Sequence, residues 1–241
     1  MKKLAIPENY QPCDNEVRRY LNVWNGLDGY ADQELALDKL FETLCPRNDN
    51  LQDVLLKCSV LNDFYSTHIF NIFKVAKHIL SIENLDTRLV EGEYAVVDEI
   101  ARCSGRIIFS FATKYCSHHF PKSYAIYDNY VAQTLQYFRD RDTFAKFRNE
   151  DLRQYKIFHN AILTFQKFYD INLDFTLKEM DKYLWQFGKR YFSTYPTTMT
   201  PELKAAVELK GVALDDLDEM QQESLLRDLR EELALKNCKT N

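Results

Sequence analysis

The sequence contains no run of eighteen apolar residues, the length that a membrane-spanning helix needs, and it does not open on a charged segment followed by an apolar one. We therefore expect no membrane partner and a cytoplasmic protein. Glycine and proline are also scarce, with six of each in 241 residues. Because few helix breakers interrupt the long segments of 3.6-residue hydrophobic periodicity, the sequence predicts an all-α fold.

Paired cysteine motifs are absent too. The six cysteines include no C-x-x-C pair, which argues against a zinc ribbon and against an iron–sulfur loop. Cys116, His118 and His119 have metal-binding side chains, but adjacent histidines on a helix point in different directions. We expect reduced, mostly buried thiols, and neither a metal nor a cofactor.

The chain also lacks the positive excess of a strong nucleic-acid-binding protein, since its net charge is −5. Residues 214–236 alone carry that −5, so the remainder is neutral overall. Within the remainder, residues 139–167 carry seven basic and four acidic side chains. This moderately basic stretch is compatible with phosphate contacts.

The most informative position is Asp128. Apolar side chains at helical spacing predict a helix over 106–117, which Pro121 ends. A second amphipathic helix follows Asp128, and its apolar stripe consists of Val131, Leu135 and Phe138. Asp128 therefore falls at the N-cap position of that helix.

An N-cap aspartate has two interpretations. Its oxygen can accept the free backbone N–H groups of the first turn, which is an ordinary structural role. The same position also presents an ionised carboxylate out of the fold, where it can stabilise a cationic transition state or activate water. The order of the elements around Asp128 favours the second interpretation.

That order begins with a helix that ends in Leu61–Asn62–Asp63–Phe64–Tyr65–Ser66–Thr67. Helices over 69–80, 83–92 and 94–103 follow, then the turn Cys103–Ser104–Gly105–Arg106, the segment Phe109–Cys116, and Tyr127–Asp128–Asn129–Tyr130–Val131. From about Leu51 to Val131, with an extension to Phe192, this arrangement resembles the helix-hairpin-helix superfamily of DNA glycosylases. It is similar to a divergent bacterial branch of that superfamily.

The resemblance implies a two-lobed helical glycosylase fold with a central cleft, and DNA as the partner, as a duplex with a modified base. It implies that Asp128 is the catalytic carboxylate of a base-excision enzyme that cuts the bond between base and sugar. Asn62 and Tyr65 would contact DNA as the wedge that fills the gap left by an extruded base. Phe64, Tyr65 and Tyr127 would line the base pocket.

Two features depart from the superfamily pattern. The turn Ser104–Gly105–Arg106 has one glycine where a well-formed hairpin has two, and it is the candidate phosphate-binding turn. The strand-nicking members use a lysine where this chain has Ser110, and Lys114 follows one turn later. We expect Lys114 to be a solvated helix residue and the enzyme to be monofunctional.

We divide the chain into three parts. Residues 49–138 form the central lobe with the degenerate hairpin and Asp128, and residues 1–48 with 139–196 form the second lobe. Within the second lobe we expect Trp185 to be a core residue. Residues 197–241 form an acidic amphipathic helix that docks on the body or self-associates.

Two alternatives stay open. The degenerate hairpin favours a non-catalytic nucleic-acid-binding protein of the same fold. Arg153 and His159 match the short R-x(4–6)-H pattern of HEPN-type ribonucleases. The plain interpretation of that pair is a surface charge at Arg153 and a helix-face residue at His159.

Overall fold

The computed structural model describes residues 5–103, 105 and 107–193, and these form ten α-helices and no strand. The predicted all-α class is confirmed. The helices are α1 Asp14–Asn25, α2 Asp28–Asp38, α3 Leu51–Phe64, α4 Ile72–Leu80, α5 Leu85–Val90, α6 Ala95–Ala101, α7 Phe109–His119, α8 Asn129–Asp142, α9 Tyr155–Phe168 and α10 Leu177–Phe192. A π-helical segment, Lys39–Leu44, extends α2, and a 3-10 helix, Asn149–Arg153, precedes α9. The C-terminal helix predicted over 197–241 lies outside the described residues.

Polar caps fix several helix starts. The side chains of Asn50 and Asn71 each accept the backbone N–H three residues further on, at 2.9 and 3.1 Å, and so begin α3 and α4. Thr176 begins α10 with a capping box, because its backbone N–H donates to the Glu179 carboxylate at 2.7 Å and its hydroxyl accepts the Glu179 N–H at 3.3 Å. These caps fix where the three helices begin, and α4 starts at Ile72, three residues later than predicted.

The helix α7 is central to the fold. It packs against α3, α6 and the π-helical segment, and every residue from Phe111 to His118 is buried. It begins three residues later than predicted, because Gly105 takes a left-handed conformation (φ +79°) in the turn from α6, and the Ile108 N–H donates to the Ala101 carbonyl at 2.9 Å.

The most extensive helix contact joins α8 and α10. At its centre a Cβ on Gly188 would lie 2.4 Å from the Tyr130 carbonyl oxygen and 2.7 Å from Thr134 Oγ1. The Thr134 hydroxyl lies 3.0 Å from the Leu184 carbonyl oxygen, which adds a polar link between the helices. On its other side α10 packs against α1. The contact therefore joins the predicted central lobe to the predicted second lobe, and the two-lobed glycosylase architecture stays a prediction.

Among the helices between residues 5 and 193, none combines the length and apolar character that crossing a bilayer requires.

We predict that Gly188→Ala destabilises the protein. The added methyl group meets the backbone carbonyl of Tyr130, which cannot move aside as a flexible side chain can. Overpacking of this kind costs about 1–3 kcal/mol. Urea denaturation followed by circular dichroism measures the change.

The matched control is Gly29→Ala in α2, where a Cβ has no neighbour within 4 Å. Alanine is the better helix former by about 0.5–1 kcal/mol, so this variant should be as stable as the wild type or more so. Equal stability of the Gly188 variant and the wild type would contradict the close contact.

Candidate active site

A cavity of about 790 Å³ opens beside Asp128. Four parts of the chain form it: α1 with α2, the end of α3, the junction of α7 with α8, and α10. The lining residues are Trp24, Tyr30, Gln33, Glu34, Leu37, Phe64, Tyr65, Ser66, Lys114, Ile126, Asp128, Asn129, Tyr130, Gln133, Lys178, Asp181, Lys182, Trp185 and Phe192.

The segment that leads to Asp128 is held by buried hydrogen bonds. The Ala125 N–H donates to the Tyr155 hydroxyl at 2.8 Å, and the Tyr127 N–H donates to Thr113 Oγ1 at 3.0 Å. Asp128 itself is extended (φ −133°, ψ 156°), and its Oδ1 accepts the Tyr130 N–H at 2.8 Å. The carboxylate therefore caps α8 and lines the cavity at once, so the two interpretations of Asp128 are compatible.

Lys114 is buried, although the sequence predicted a solvated helix residue. It is 4% exposed and lines the cavity, because α7 is buried on all sides and not only on one face. Its Nζ donates to Ser110 Oγ at 2.6 Å and lies 4.9 Å from the centre of the Tyr65 ring. Burial lowers the pKa of this ammonium group, while the charges of Asp128 and Asp181 act in the opposite direction.

A second carboxyl group, Asp181 on α10, lines the same cavity. Its Oδ1 is buried and has no hydrogen-bond partner in the structure. Burial, followed by the nearby charge of Asp128, raises the pKa of Asp181 to about 8, against the opposing effect of Lys114 and Lys182. Asp128 and Asp181 are therefore two carboxyl groups of one cavity in different environments.

Glu34 organises the basic side of the cavity. Its carboxylate lies 2.9 Å from Lys178 Nζ and 2.7 Å from Lys182 Nζ, and it accepts the indole N–H of Trp24 at 3.1 Å. Burial raises the pKa of Glu34, but the two lysines outweigh it and leave that pKa lower than usual. One ionised side chain thus positions two cations and one aromatic ring.

Aromatic side chains make up one wall. The rings of Trp24, Tyr30 and Trp185 lie 5.6 to 5.8 Å apart, centre to centre, and Trp24 meets Trp185 edge to face. Trp185 was predicted to be core, but it is only half-buried because one side of its ring faces the cavity. Lys182 and Lys189 pack against this wall, with Nζ 5.2 Å from the ring centres of Trp24 and Trp185 respectively.

The residues around the predicted wedge differ in whether they line the cavity. Phe64 and Tyr65 line the cavity, and the Tyr65 hydroxyl pairs with His118 Nε2 at 2.8 Å. Asn62 does not line it; its Oδ1 accepts the Ile69 N–H at 2.8 Å and the Thr67 hydroxyl at 2.7 Å. Asn62 thus holds the loop after α3, and its contact with DNA stays a prediction.

Tyr127 is not on the cavity wall, which corrects the prediction that it lines the base pocket. Its ring packs against Phe109 at 5.0 Å and Phe158 at 5.2 Å, because consecutive residues of an extended segment point to opposite sides. Asp128 faces the cavity, so its neighbour Tyr127 faces the core.

The candidate phosphate-binding turn is described only at Gly105. Ser104 and Arg106 lie outside the described residues. The turn leads directly into α7, on which Lys114 follows about 8 Å along the helix axis from Phe109. The role of the turn in binding DNA stays a prediction.

The basic stretch 139–167 does not supply the cations of the cavity. Three of its arginines pair with neighbouring acids, as in Arg139 with Asp140 and Arg141 with Asp142. The described residues also contain no group of three or more His, Cys, Asp or Glu side chains that could hold a metal.

Arg153 and His159 are not brought together in one cavity. Arg153 is exposed, as its plain interpretation predicted. His159 is 5% exposed, and its Nδ1 pairs with the Tyr94 hydroxyl at 3.1 Å. His159 lines a separate surface cavity of about 500 Å³ whose lining does not include Arg153.

Sequence reasoning missed the residues that α1, α2 and α10 contribute: Trp24, Tyr30, Glu34, Asp181 and Lys182. They lie far from Asp128 in sequence, and none of them carries a motif. For Lys114 a signal existed, since apolar and aromatic residues surround it on every face of α7.

Two comparisons with known proteins place the chain among relatives. A Haemophilus influenzae protein with the name "Uncharacterized protein" is 43% identical over 146 residues, which are 59% of this chain and 69% of the relative. The family model HI_0787_N, an N-terminal domain, matches residues 16–123. The chain and this Haemophilus influenzae protein belong to one family. No solved structure matches the chain.

The HI_0787_N match includes one side of the cavity, with Trp24, Glu34 and Lys114, and ends before Asp128 and Asp181. Neither the family description nor the name of the relative states an activity. A function for this protein therefore has to be inferred from the residues of the cavity.

We predict that Asp128→Ala lowers the free energy of unfolding by about 1 kcal/mol, because the first turn of α8 loses its cap. Asp128→Asn should keep most of that stability, since an amide oxygen can accept the same N–H group. Urea denaturation of both variants tests this. Equal loss in both would show that charge, and not capping, is what Asp128 contributes to stability.

Proposed function

We propose that this protein is a monofunctional DNA N-glycosylase that removes a modified base, with Asp128 as the catalytic carboxylate. The observation that carries the proposal is that the Asp128 carboxylate lines a cavity walled by aromatic rings. An aspartate with only a capping role has no need of such a cavity.

The dimensions of the cavity support a base as its occupant. A volume of about 790 Å³ is within the range of small-molecule sites and accommodates a nucleobase with part of its sugar. The faces of Trp24, Tyr30 and Trp185 suit a flat heterocycle, because every base has a π-face that stacks on aromatic side chains. Extrusion of the nucleotide from the duplex brings its base into the cavity.

The proposed mechanism depends on the negative charge of the Asp128 carboxylate. As the bond between the sugar C1′ and the base nitrogen breaks, its electron pair leaves with the base and positive charge develops on the sugar. The ionised Asp128 stabilises that charge and accepts a proton from the water that attacks C1′. The products are a free base and an abasic site.

We predict that Asp128→Asn abolishes base release while the fold is retained. The amide keeps the cap but has neither the negative charge nor the basicity of the carboxylate, so the single-turnover rate should fall at least about 100-fold. The assay incubates the protein with a panel of duplexes that each carry one modified base, and detects abasic sites by alkaline cleavage.

The matched control is Asp140→Asn, the same substitution at a side chain that is 68% exposed and lies outside the cavity. It should release base at the wild-type rate. Wild-type rates from the Asp128 variant would contradict the proposal. Binding of duplexes by the wild type without base release would favour the non-catalytic DNA-binding alternative.

Strand cleavage at the abasic product is a second candidate function, and the burial of Lys114 favours it. A desolvated amine with a lowered pKa is a better nucleophile than an exposed lysine, and this one shares the cavity with Asp128. Its Nζ could add to the aldehyde carbon of the opened abasic sugar, with loss of water, to form an imine.

We predict that borohydride reduction traps the wild type covalently on an abasic duplex and that Lys114→Gln is not trapped. Gel electrophoresis of the reduced mixture shows the conjugate. Lys156→Gln, at an exposed helix position, is the control and should be trapped like the wild type. Failure to trap the wild type would leave the monofunctional proposal and remove this one.

The ribonuclease alternative has less support. Arg153 and His159 do not share a cavity, and the histidine is held by Tyr94 in the interior. Two groups that act on one phosphate have to face one substrate.

A further inference from the structure

We propose that Asp181 is the group that donates a hydrogen bond to the base in the cavity and gives it a proton as it leaves. The cavity then selects a neutral base with an acceptor atom and rejects a cationic one. This inference rests on the proposed function, since it assigns the second carboxyl group of the same site.

The geometry places Asp181 on the wall of the cavity. Asp181 lines the cavity together with Asp128 and Lys114, and its buried Oδ1 has no hydrogen-bond partner. A buried carboxyl oxygen without a partner is costly, above all when the group is ionised. The protonated form is therefore favoured, and its O–H group can donate to the edge of a base in the cavity.

The position of Asp181 is fixed by its helix. The capping box at Thr176 begins α10, and the close contact of Gly188 with Tyr130 holds α10 against α8. Asp181 and Gly188 are seven residues apart, which places them on the same face of α10 two turns from each other. The face that packs on the Asp128 helix therefore also carries Asp181.

Burial is the main reason that Asp181 is neutral, and the surrounding charges act in both directions. Asp128 from α8 and Glu34 from α2 raise its pKa together with burial, whereas Lys114 from α7 and Lys182 from α10 lower it. The balance leaves the pKa at about 8, so the carboxyl group is mostly protonated at neutral pH and is a hydrogen-bond donor. A carboxyl group held in its protonated form in the same cavity as Asp128 supplies the acid that a departing base requires.

In the proposed cleavage step a proton and an electron pair both move to the base. Asp181 gives its proton to a ring nitrogen or carbonyl oxygen of the base, and the electron pair of the C1′–N bond goes to the departing base. Water adds to C1′ and loses a proton to Asp128. The base leaves neutral, and proton exchange with solvent restores both carboxyl groups.

The same charges define the class of substrate. A neutral base offers an acceptor to the Asp181 O–H group. A cationic base would bring a second positive charge next to the buried Lys114 and needs no proton in order to leave. We therefore expect a neutral base.

Calorimetry with free heterocycles tests the hydrogen bond independently of cleavage. The probes are adenine, hypoxanthine, uracil and the permanently cationic 1-methylnicotinamide, titrated into the full-length protein between about pH 6 and about pH 9. At least one neutral base should bind the wild type, and its affinity should fall by up to about tenfold as the pH rises through the pKa of Asp181, because the donor is lost. The cation should not bind.

Asp181→Asn keeps a donor that does not titrate, so it should bind the same base with no fall in affinity over this range. Asp170→Asn, at an exposed position outside the cavity, should behave like the wild type. If the affinity of Asp181→Asn for the base still falls with rising pH, the titrating group is Lys114 and the proposal is overturned. Wild-type affinity that does not change with pH, no binding of any neutral base, or binding of the cation would overturn it too.

Measurement of base release tests the role of Asp181 separately from that of Asp128. In a duplex that the wild type cleaves, Asp181→Asn should lower the single-turnover rate about 100-fold, because an amide has no proton to transfer. Release at the wild-type rate would overturn the role of Asp181 and leave that of Asp128. Binding of bases that depends on Asp181, with no release from any duplex, would overturn the proposed function and leave Asp181 as the base contact.

Discussion

The contact between α8 and α10 is the constraint on which the cavity depends. Only glycine at position 188 lets the two backbones approach so closely, and the atom it meets is the carbonyl oxygen of Tyr130 in the first turn of α8. The residue that caps this turn is Asp128. The packing that fixes α10 therefore also fixes the carboxylate, and Asp128 and Asp181 come to line one cavity.

Much of the fold could be predicted from the sequence, because its helices follow local rules. The stripe of Val131, Leu135 and Phe138 is fully buried, and the helices predicted over 69–80 and 94–103 have bounds within three residues of those observed. The environment of Lys114 could not be read from the same rules. Periodicity tells which face of a helix is apolar, but whether the other faces are also covered depends on how α3, α6 and the π-helical segment pack around α7.

The site was predictable only in part for the same reason. Asp128 was found because an N-cap is a local feature: an extended residue directly before an amphipathic helix. Asp181, Glu34 and Trp24 reach the cavity from helices that lie about fifty to a hundred residues away along the chain, through contacts among α1, α2, α8 and α10. Tyr127 was misplaced because the direction of each side chain in the extended segment depends on which of its two sides faces the core.

The aromatic wall has a practical consequence. The chain has only two tryptophans, Trp24 and Trp185, and both line the cavity within 5.8 Å of each other. Its intrinsic indole emission therefore comes entirely from this one place. Occupancy of the cavity by any stacked molecule should change the quantum yield of the whole protein, so ligands can be found by a fluorescence screen that needs no label and no knowledge of the reaction.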